Sequence, residues 1–334
     1  MAAAGPGTLP SRREGVAVDD VTTDLGAYLR ARRDRLRPED HGFETGRGRR
    51  VRGLRRQEVA QLAGISADYY LRLEQGKDRR PSAQVLASLA RTFGLDADGR
   101  EHLFRLAGQV GPRPHPPVSP GAGTDGGPEA VRGPSVDLAS MLSSWSTIPA
   151  YVVDRHHDLV AVNDLGRMLL PARCEPGSNV LEEVVRRAAR ETDERHRAAW
   201  ERTVADMTAA LRFHADPGEP RLDELVGILS QRSQTFRRVW ADHEARPLRE
   251  GWAPVEVEPF GSVTFRWQTL AVSGGEHFLS SFSGPPGSAA AAAVEYLRAR
   301  HQVEVRLRED AILDAWRSVP SWSGETESSN VSVP

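Results

Sequence analysis

The segment of residues 54–76 restricts the fold of this chain more than any other part. Tyr70 and Leu73 lie three residues apart, which places them on one face of a short helix. Gly64 precedes that helix, and glycine readily adopts the left-handed backbone conformation of a sharp turn. Ser66, at the start of the helix, is a common N-cap residue. The segment therefore predicts two short helices joined by a tight turn.

Apolar residues at helical spacing on both sides of this segment predict three more helices. The helix that opens the domain is expected over residues 24–36. Within the tight pair, the first helix is expected over residues 55–63. Asp98, followed by Glu101 three residues later, predicts a capping box at the start of the last helix. Residues 23–108 are thus expected to form an all-α domain of five helices.

The charges of the chain are divided unevenly along its length. The whole chain of 334 residues has a net charge of −2, but residues 23–108 carry +6 and residues 109–334 carry −7. A basic domain followed by an acidic one is typical of a nucleic-acid-binding module joined to a domain that does not contact phosphate.

Composition also indicates the compartment. Cys174 is the single cysteine, so no disulfide can form within the chain and a cysteine-based metal site is not expected. The first residues lack the basic and apolar regions of a signal peptide. No apolar run approaches the length of about 20 residues that a membrane span requires. A cytoplasmic protein without a membrane partner is therefore expected.

Composition and periodicity together predict six consecutive regions. Residues 109–135 contain seven prolines and six glycines, which is typical of a linker. The expected regions are a disordered tail (1–22), the five-helix domain (23–108), the linker (109–135), a second domain (136–288), a helix (289–319) and a disordered serine-rich tail (320–334).

The tight helix pair resembles the helix-turn-helix of the xenobiotic-response-element, phage-repressor-like class. The residues that carry the resemblance are Glu58-Val-Ala-x-x-Ala-Gly-Ile-Ser66 and, after them, Leu73-Glu-x-Gly76. The resemblance implies that the second helix enters the DNA major groove and that two copies bind a near-palindromic site. The side chains that it places against base edges are Ala67, Asp68 and Arg72. Those that it places against phosphates are Arg56, Ser66, Tyr69 and Gln75.

Three charged side chains in this region are expected to have different roles. Arg72 is the best candidate for reading a guanine, because a guanidinium pairs bidentately with O6 and N7. Asp68 either accepts a hydrogen bond from a cytosine amine or caps the helix and repels phosphate. Glu74 is expected to pair with an arginine inside the domain rather than to contact DNA.

A loop rich in arginine precedes the helix pair, and Arg49 and Arg50 are its candidate DNA-binding residues. One interpretation is that they follow the phosphates, which would make binding sensitive to salt. The other is that they form a solvated loop in a chain that uses arginine for nearly every positive charge.

The second domain shows strand and helix patterns in turn. Residues 151–153 and 159–162 are short β-rich runs around a polar turn, which predicts a hairpin. Helical patterns follow, and three further strands are expected over residues 255–259, 262–270 and 277–283. The expected fold class of this domain is α+β.

This pattern is similar to a PAS-like sensor and, more closely, to the ligand-binding domain of MmyB-type regulators. The residues that carry the likeness are the run from Leu222-Asp-Glu-Leu-Val-Gly to Trp240, followed by Gly261 and the closing strands. The likeness implies a small apolar ligand similar to a fatty acid. The aromatic candidates for its pocket are Trp240, Phe265, Trp267 and Phe278, although aromatic residues in such a domain also serve as core.

No motif for catalysis or for metal binding stands out. The chain lacks a Gly-x-Ser-x-Gly elbow and a Cys/His cluster at metal-ligand spacing. His156 and His157 lie in the predicted polar turn, where they are expected to face water. The sequence therefore predicts neither an enzyme nor a bound cofactor.

The favoured hypothesis is a homodimeric transcription regulator that binds a double-stranded DNA operator and senses a small apolar effector. RNA polymerase is a further candidate partner. The alternative is that the helical domain docks onto another protein, without DNA readout, and carries an enzyme or a dimerisation domain.

Overall fold

The computed structural model describes residues 24–44, 49, 51–78, 80–109, 138–171, 174–272 and 275–317. The predicted tails, and the predicted linker beyond Gln109, lie outside this part of the chain. The contacts between residues divide the chain into two compact units, residues 1–112 with 238–247, and residues 113–237 with 248–334. The predicted boundaries of the two domains stay a prediction.

The first unit has the five α-helices that the periodicity predicts. The helical elements that open the chain are α1 (Asp24–Arg35), a 3-10 turn (Pro38–His41), α2 (Arg56–Ala63), α3 (Ala67–Glu74), α4 (Ala83–Thr92) and α5 (Ala97–Leu106). Gly64 has a φ of 68°, the left-handed conformation expected of the turn between α2 and α3. The Ser66 side chain accepts a hydrogen bond from the Tyr69 amide at 3.1 Å, so the predicted cap is confirmed.

The predicted capping box at Asp98 and Glu101 is wrong. Asp96 is the N-cap of α5, and its Oδ1 accepts a hydrogen bond from the Gly99 amide at 2.8 Å. The helix therefore begins at Ala97, and Asp98 lies in its first turn. Both aspartates suit a cap, and the sequence pattern alone does not settle which of them the helix start selects.

Helices α1 and α3 meet at backbone distance. Tyr28, Leu29, Tyr70 and Leu73 are fully buried in the core of this unit. Gly26 of α1 lies so close to α3 that an added Cβ would be 2.3 Å from the carbonyl oxygen of Glu74. The close packing of α3 against α1 therefore requires a glycine, which has no side chain, at position 26.

The second unit is an α+β domain, as predicted. Its sheet contains β1 (Ala150–Asp154), β2 (Leu159–Val162), β3 (Glu250–Val257), β4 (Gly261–Ala271) and β5 (His277–Ser283) in the order β2-β1-β5-β4-β3, with every neighbouring pair antiparallel. The remaining helices of the chain are α6 (Leu138–Ser143), α7 (Asp164–Leu169), α8 (Val180–Arg190), α9 (Glu194–His214), α10 (Pro220–Arg232), α11 (Gln234–Ala241) and α12 (Ala289–Arg317). The narrower likeness to PAS sensors stays a prediction.

Alternation along β4 explains how the sheet buries one face. Val263, Phe265, Trp267 and Thr269 are buried, and the residues between them are exposed or half-buried. β1 and β2 form the predicted hairpin, in which Tyr151 is paired with Val162. Within the described residues, no helix is long and apolar enough to cross a membrane.

Candidate DNA-binding surface and ligand cavity

Helix α3 has a buried side and an exposed side. Tyr70, Leu73 and Glu74 are completely buried. The predicted DNA-contacting residues lie on the other side. Ser66, Asp68, Arg72 and Gln75 are exposed, and Ala67 and Tyr69 are half-buried. The outer side of α3 therefore presents the residues that the resemblance assigns to DNA.

The buried carboxylate of Glu74 joins α3 to α1 and α2. Its Oε1 accepts a hydrogen bond from Nε of Arg33 at 2.7 Å, and its Oε2 accepts one from Nε of Arg56 at 2.6 Å. Arg33 is itself buried and also donates to the Leu54 carbonyl at 3.0 Å. Burial alone would lower the pKa of Arg33, but the Glu74 carboxylate outweighs it and raises that pKa. The prediction that Glu74 pairs within the domain is confirmed.

Arg56 combines this structural contact with an exposed surface. Its side chain is 47% exposed although its Nε binds Glu74. It borders a concave surface of the first unit whose lining residues are Arg33, Val51, Arg55, Arg56 and Gln57. Its exposed arginines are Arg55 and Arg56, since Arg33 is buried against Glu74, and an exposed arginine suits the predicted phosphate contact of Arg56.

Arg49 has a different environment from the one predicted. Its guanidinium lies 2.8 Å and 2.6 Å from the two carboxylate oxygens of Glu58 and donates to the Gly53 carbonyl at 2.7 Å. Only 8% of its side chain is exposed. The hydrogen bond from Arg49 lowers the pKa of Glu58. Arg49 therefore holds the loop against α2, and its predicted phosphate contact stays a prediction. Arg50 lies outside the described residues.

The second unit contains a cavity of about 240 Å³. Its wall consists mainly of apolar residues from α7, α8, α9 and the sheet. The lining includes Tyr151, Cys174, Val184, Arg187, Trp200 and Trp267. Of the four predicted pocket aromatics, Trp267 lines this cavity, and Trp240, Phe265 and Phe278 do not. Phe265 is completely buried in the core, and the ring of Phe278 packs against His214 with centroids 4.2 Å apart.

Sequence reasoning missed the wall that α8 and α9 contribute. Val180, Glu183, Val184 and Arg187 of α8 line the cavity at helical spacing, as do Trp200, Thr203 and Met207 of α9. The periodic pattern indicates that these faces are covered. It gives no sign that they cover a cavity rather than a solid core.

A glycine opposite Trp267 leaves the space that the indole at the cavity wall occupies. Gly251 of β3 is paired with Trp267 of β4, and an added Cβ would lie 2.2 Å from Cζ2 of the indole.

Burial raises the pKa of Tyr151 to about 12 and that of Cys174 to about 11. Both groups are therefore protonated at neutral pH, and these parts of the wall are uncharged.

Charged groups lie toward one side of the cavity. Glu183 is buried, and its Oε2 is 2.6 Å from Nη1 of Arg186. Arg187 is partly exposed, and its guanidinium lies 6.0 Å from the ring centroid of Trp200. An apolar chamber with an arginine at its wall suits an amphiphilic molecule.

The prediction that His156 and His157 face water is wrong, because both are buried. Nε2 of His156 is 2.7 Å from Oε2 of Glu219, and Nε2 of His157 is 3.0 Å from the Met207 carbonyl oxygen. The turn between β1 and β2 packs against residues 50 and 63 positions away, which a local pattern does not show. Burial would lower the pKa of His156, but hydrogen bonds with Asp154 and Glu219 raise it, whereas burial lowers the pKa of His157.

The two histidines are expected to give the second unit opposite dependences of stability on pH. A raised folded-state pKa means that His156 stabilises the fold below its ordinary value of 6.5 and loses this contribution as the pH rises through the raised pKa. A lowered pKa means that His157 contributes above 6.5 and loses its contribution as the pH falls. Urea unfolding between about pH 5 and pH 8 measures both.

Each histidine can be tested against the other. In His156→Gln, the unfolding free energy should fall less as the pH rises above 6.5. In His157→Gln, it should fall less as the pH drops below 6.5. If both variants keep the slopes of the original protein, these groups do not titrate as described.

Across the described residues, no group of three or more His, Cys, Asp and Glu side chains is arranged to hold a metal ion.

Comparison with known families gives the class of the protein. Residues 24–103 match the helix-turn-helix domain, and residues 135–297 match the MmyB-like transcription regulator ligand binding domain. The chain is thus a DNA-binding transcription regulator with a ligand-sensing domain. In particular, it is a helix-turn-helix regulator whose second domain is MmyB-like, and the resemblance predicted from the sequence is confirmed. No curated protein matches the chain.

Proposed function

We propose that this regulator binds a specific operator through the outer side of α3, with Arg72 as its principal base-reading side chain. The observation that carries the proposal is the exposed set of Ser66, Asp68, Arg72 and Gln75 on a helix whose other side is fixed by Glu74. A short α3 reads few base pairs, so tight binding requires two copies on a near-palindromic site. Homodimerisation, action in the cytoplasm and contact with RNA polymerase are parts of the same proposal.

Selection of genomic DNA fragments at one fixed salt concentration tests whether an operator exists. Salt must be fixed because phosphate contacts make every affinity depend on it. The expected result is one enriched motif with twofold symmetry. Folded protein that enriches no motif contradicts the proposal.

We further propose that the cavity holds a small apolar ligand similar to a fatty acid. The wall is largely apolar, Tyr151 and Cys174 are protonated, and Arg187, whose Nη2 lies 3.6 Å from Oε2 of Glu191, is the lining arginine that a ligand carboxylate would approach. A ligand present at about 100 times its Kd stabilises the folded state by about 2.7 kcal/mol. Saturated fatty acids should therefore raise the Tm, and extraction of purified protein followed by mass spectrometry should release one.

A variant that fills the cavity gives the sharper test. Val184→Trp adds a large ring at the cavity wall, and Val226→Trp makes the same change on α10 at a half-buried valine that does not line the cavity. The fatty-acid shift in Tm should disappear in Val184→Trp and persist in Val226→Trp. If both variants keep it, the ligand binds elsewhere. If no fatty acid shifts the original protein, the ligand class is wrong while the operator result still stands.

A further inference from the structure

One short segment belongs to the first unit although it lies far from the rest of that unit in the sequence. It comprises residues 238–247, which we call the strap. The strap contains the end of α11 and the loop that follows it. It falls within residues 135–297, the part of the chain that matches the MmyB-like ligand binding domain. Part of the ligand-binding sequence therefore belongs to the DNA-binding unit.

Two arginines in the last turn of α1 hold the strap. Nη2 of Arg35 lies 2.7 Å from Oε1 of Glu244 and 3.5 Å from Oδ2 of Asp242. Nη2 of Arg32 donates a hydrogen bond to the His243 carbonyl at 3.2 Å. Three consecutive residues of the strap thus contact one end of α1.

The carboxylate of Glu244 is bound from two sides. Its Oε1 accepts a hydrogen bond from Arg35, and its Oε2 accepts one from Nη1 of Arg246 at 2.6 Å. Burial would raise the pKa of Glu244, but these hydrogen bonds outweigh it and lower that pKa, so the group is charged at neutral pH. A partly exposed ion pair of this kind contributes at most about 1 kcal/mol, so a small displacement suffices to release it.

Helix α1 joins the strap to α3. Nε of Arg33, the residue next to Arg32, donates to Oε1 of Glu74 on α3 at 2.7 Å. The guanidinium of Arg32 lies 4.8 Å from the ring centroid of Tyr28, which is completely buried. Close-packed interiors transmit displacements because they contain little free space. Movement of this end of α1 therefore acts on the packing that holds α3.

The other end of the strap leads directly into the cavity wall. Leu248 follows Pro247 in the chain and lines the cavity of the second unit. Only three residues separate Leu248 from Glu244. A ligand that displaces Leu248 therefore acts on the chain within a few residues of the contacts with α1.

We propose that the strap couples the cavity to DNA binding: occupation of the cavity displaces Leu248, releases the strap from Arg32 and Arg35, and changes the packing of α1 on α3. This inference rests on the proposed function and names how one of its sites regulates the other. Such coupling requires a ligand that interacts differently with the bound and the released strap. It is reciprocal, so operator DNA changes the affinity for the ligand by the same factor.

Hydrogen exchange of the full chain, followed by mass spectrometry, tests the strap without DNA or ligand. Val184→Trp fills the cavity, and Val226→Trp is its control. Val184→Trp should speed the exchange of residues 32–35 and 242–247 by at least about fivefold, the lower end of usual coupling, and Val226→Trp should not. In Glu244→Arg, both segments should exchange at the faster rate with or without the tryptophan. If residues 32–35 exchange equally in the original protein and in Val184→Trp, the proposal is overturned.

Operator affinity with and without decanoic acid tests the regulatory consequence. Decanoic acid should change the Kd of the original protein for its operator by at least about fivefold. Arg35→Glu and Glu244→Arg should each remove this response. Glu101→Arg should keep it, because Glu101 pairs with Arg105 on α5 and its side chain is likewise partly exposed.

Two outcomes of the affinity measurement overturn the proposal. One is a response that persists in both strap variants, and the other is decanoic acid that raises the Tm of the original protein without changing its operator affinity. If decanoic acid does not bind, or if no operator exists, the proposed function fails, and the hydrogen-exchange result still decides whether the strap responds to the cavity.

Discussion

Glu74→Ala is expected to destabilise the first unit by about 3–5 kcal/mol, the usual cost of removing one partner from a buried ion pair. The carboxylate is completely buried, and it holds Arg33 of α1 and Arg56 of α2 at 2.7 Å and 2.6 Å. Its loss leaves the buried guanidinium of Arg33 without its main counterion. Whole domains are stable by only about 5–15 kcal/mol, so this loss should clearly lower the denaturant concentration at which the first unit unfolds. Guanidinium unfolding followed by circular dichroism measures the change.

Glu101→Ala is the control for this prediction. Glu101 pairs with Arg105 one turn further along α5, but its side chain is 48% exposed. An exposed pair of this type contributes at most about 1 kcal/mol. Equal losses in the two variants would mean that the buried network does not hold α3 in place.

Gly26→Ala is expected to destabilise the same unit by about 1–3 kcal/mol, the usual cost of overpacking. Alanine is the better helix former by about 1 kcal/mol, so helix propensity alone predicts a gain. The added Cβ, however, would lie 2.3 Å and 2.9 Å from backbone atoms of Glu74, and a backbone atom cannot rotate away as a side chain can. Helices α1 and α3 must separate, which should also weaken operator binding.

The chain offers the same substitution without the clash. Gly227 lies inside α10, and a Cβ added there meets no atom within 4 Å. Gly227→Ala should therefore stabilise the second unit by about 0.4–1 kcal/mol. Thermal unfolding of both variants gives two changes of opposite sign. A gain in both would show that the contact between Gly26 and Glu74 is looser than described.

The sequence predicts the first unit well because its signals are local. The turn at Gly64, the cap at Ser66 and the apolar spacing of Tyr70 and Leu73 all lie within a dozen residues. Glu74 belongs with them, since a carboxylate next to a core leucine must find a partner. The identity of that partner depends on Arg33, 41 residues away.

The second unit shows where local signals stop. From the sequence, the polar turn at His156 is expected to be solvated. In the structure, Glu219, 63 residues later, forms a hydrogen bond with His156. The residues of α8 and α9 that line the cavity have the sequence spacing of core residues. Only the folded structure shows that the space between them and the sheet is a cavity. Both features arise from contacts distant in sequence, which periodicity does not specify.

Whether α3 reads DNA sequence through Arg72 is tested most directly by the ratio of operator affinity to random-DNA affinity at one salt concentration. Arg72→Ala should weaken operator binding by about 1–3 kcal/mol and leave one base pair of each half-site unread. Arg100→Ala on α5 removes the same charge and should leave the ratio unchanged. If Arg72→Ala weakens operator and random DNA equally, or neither, Arg72 does not read a base and the account is contradicted.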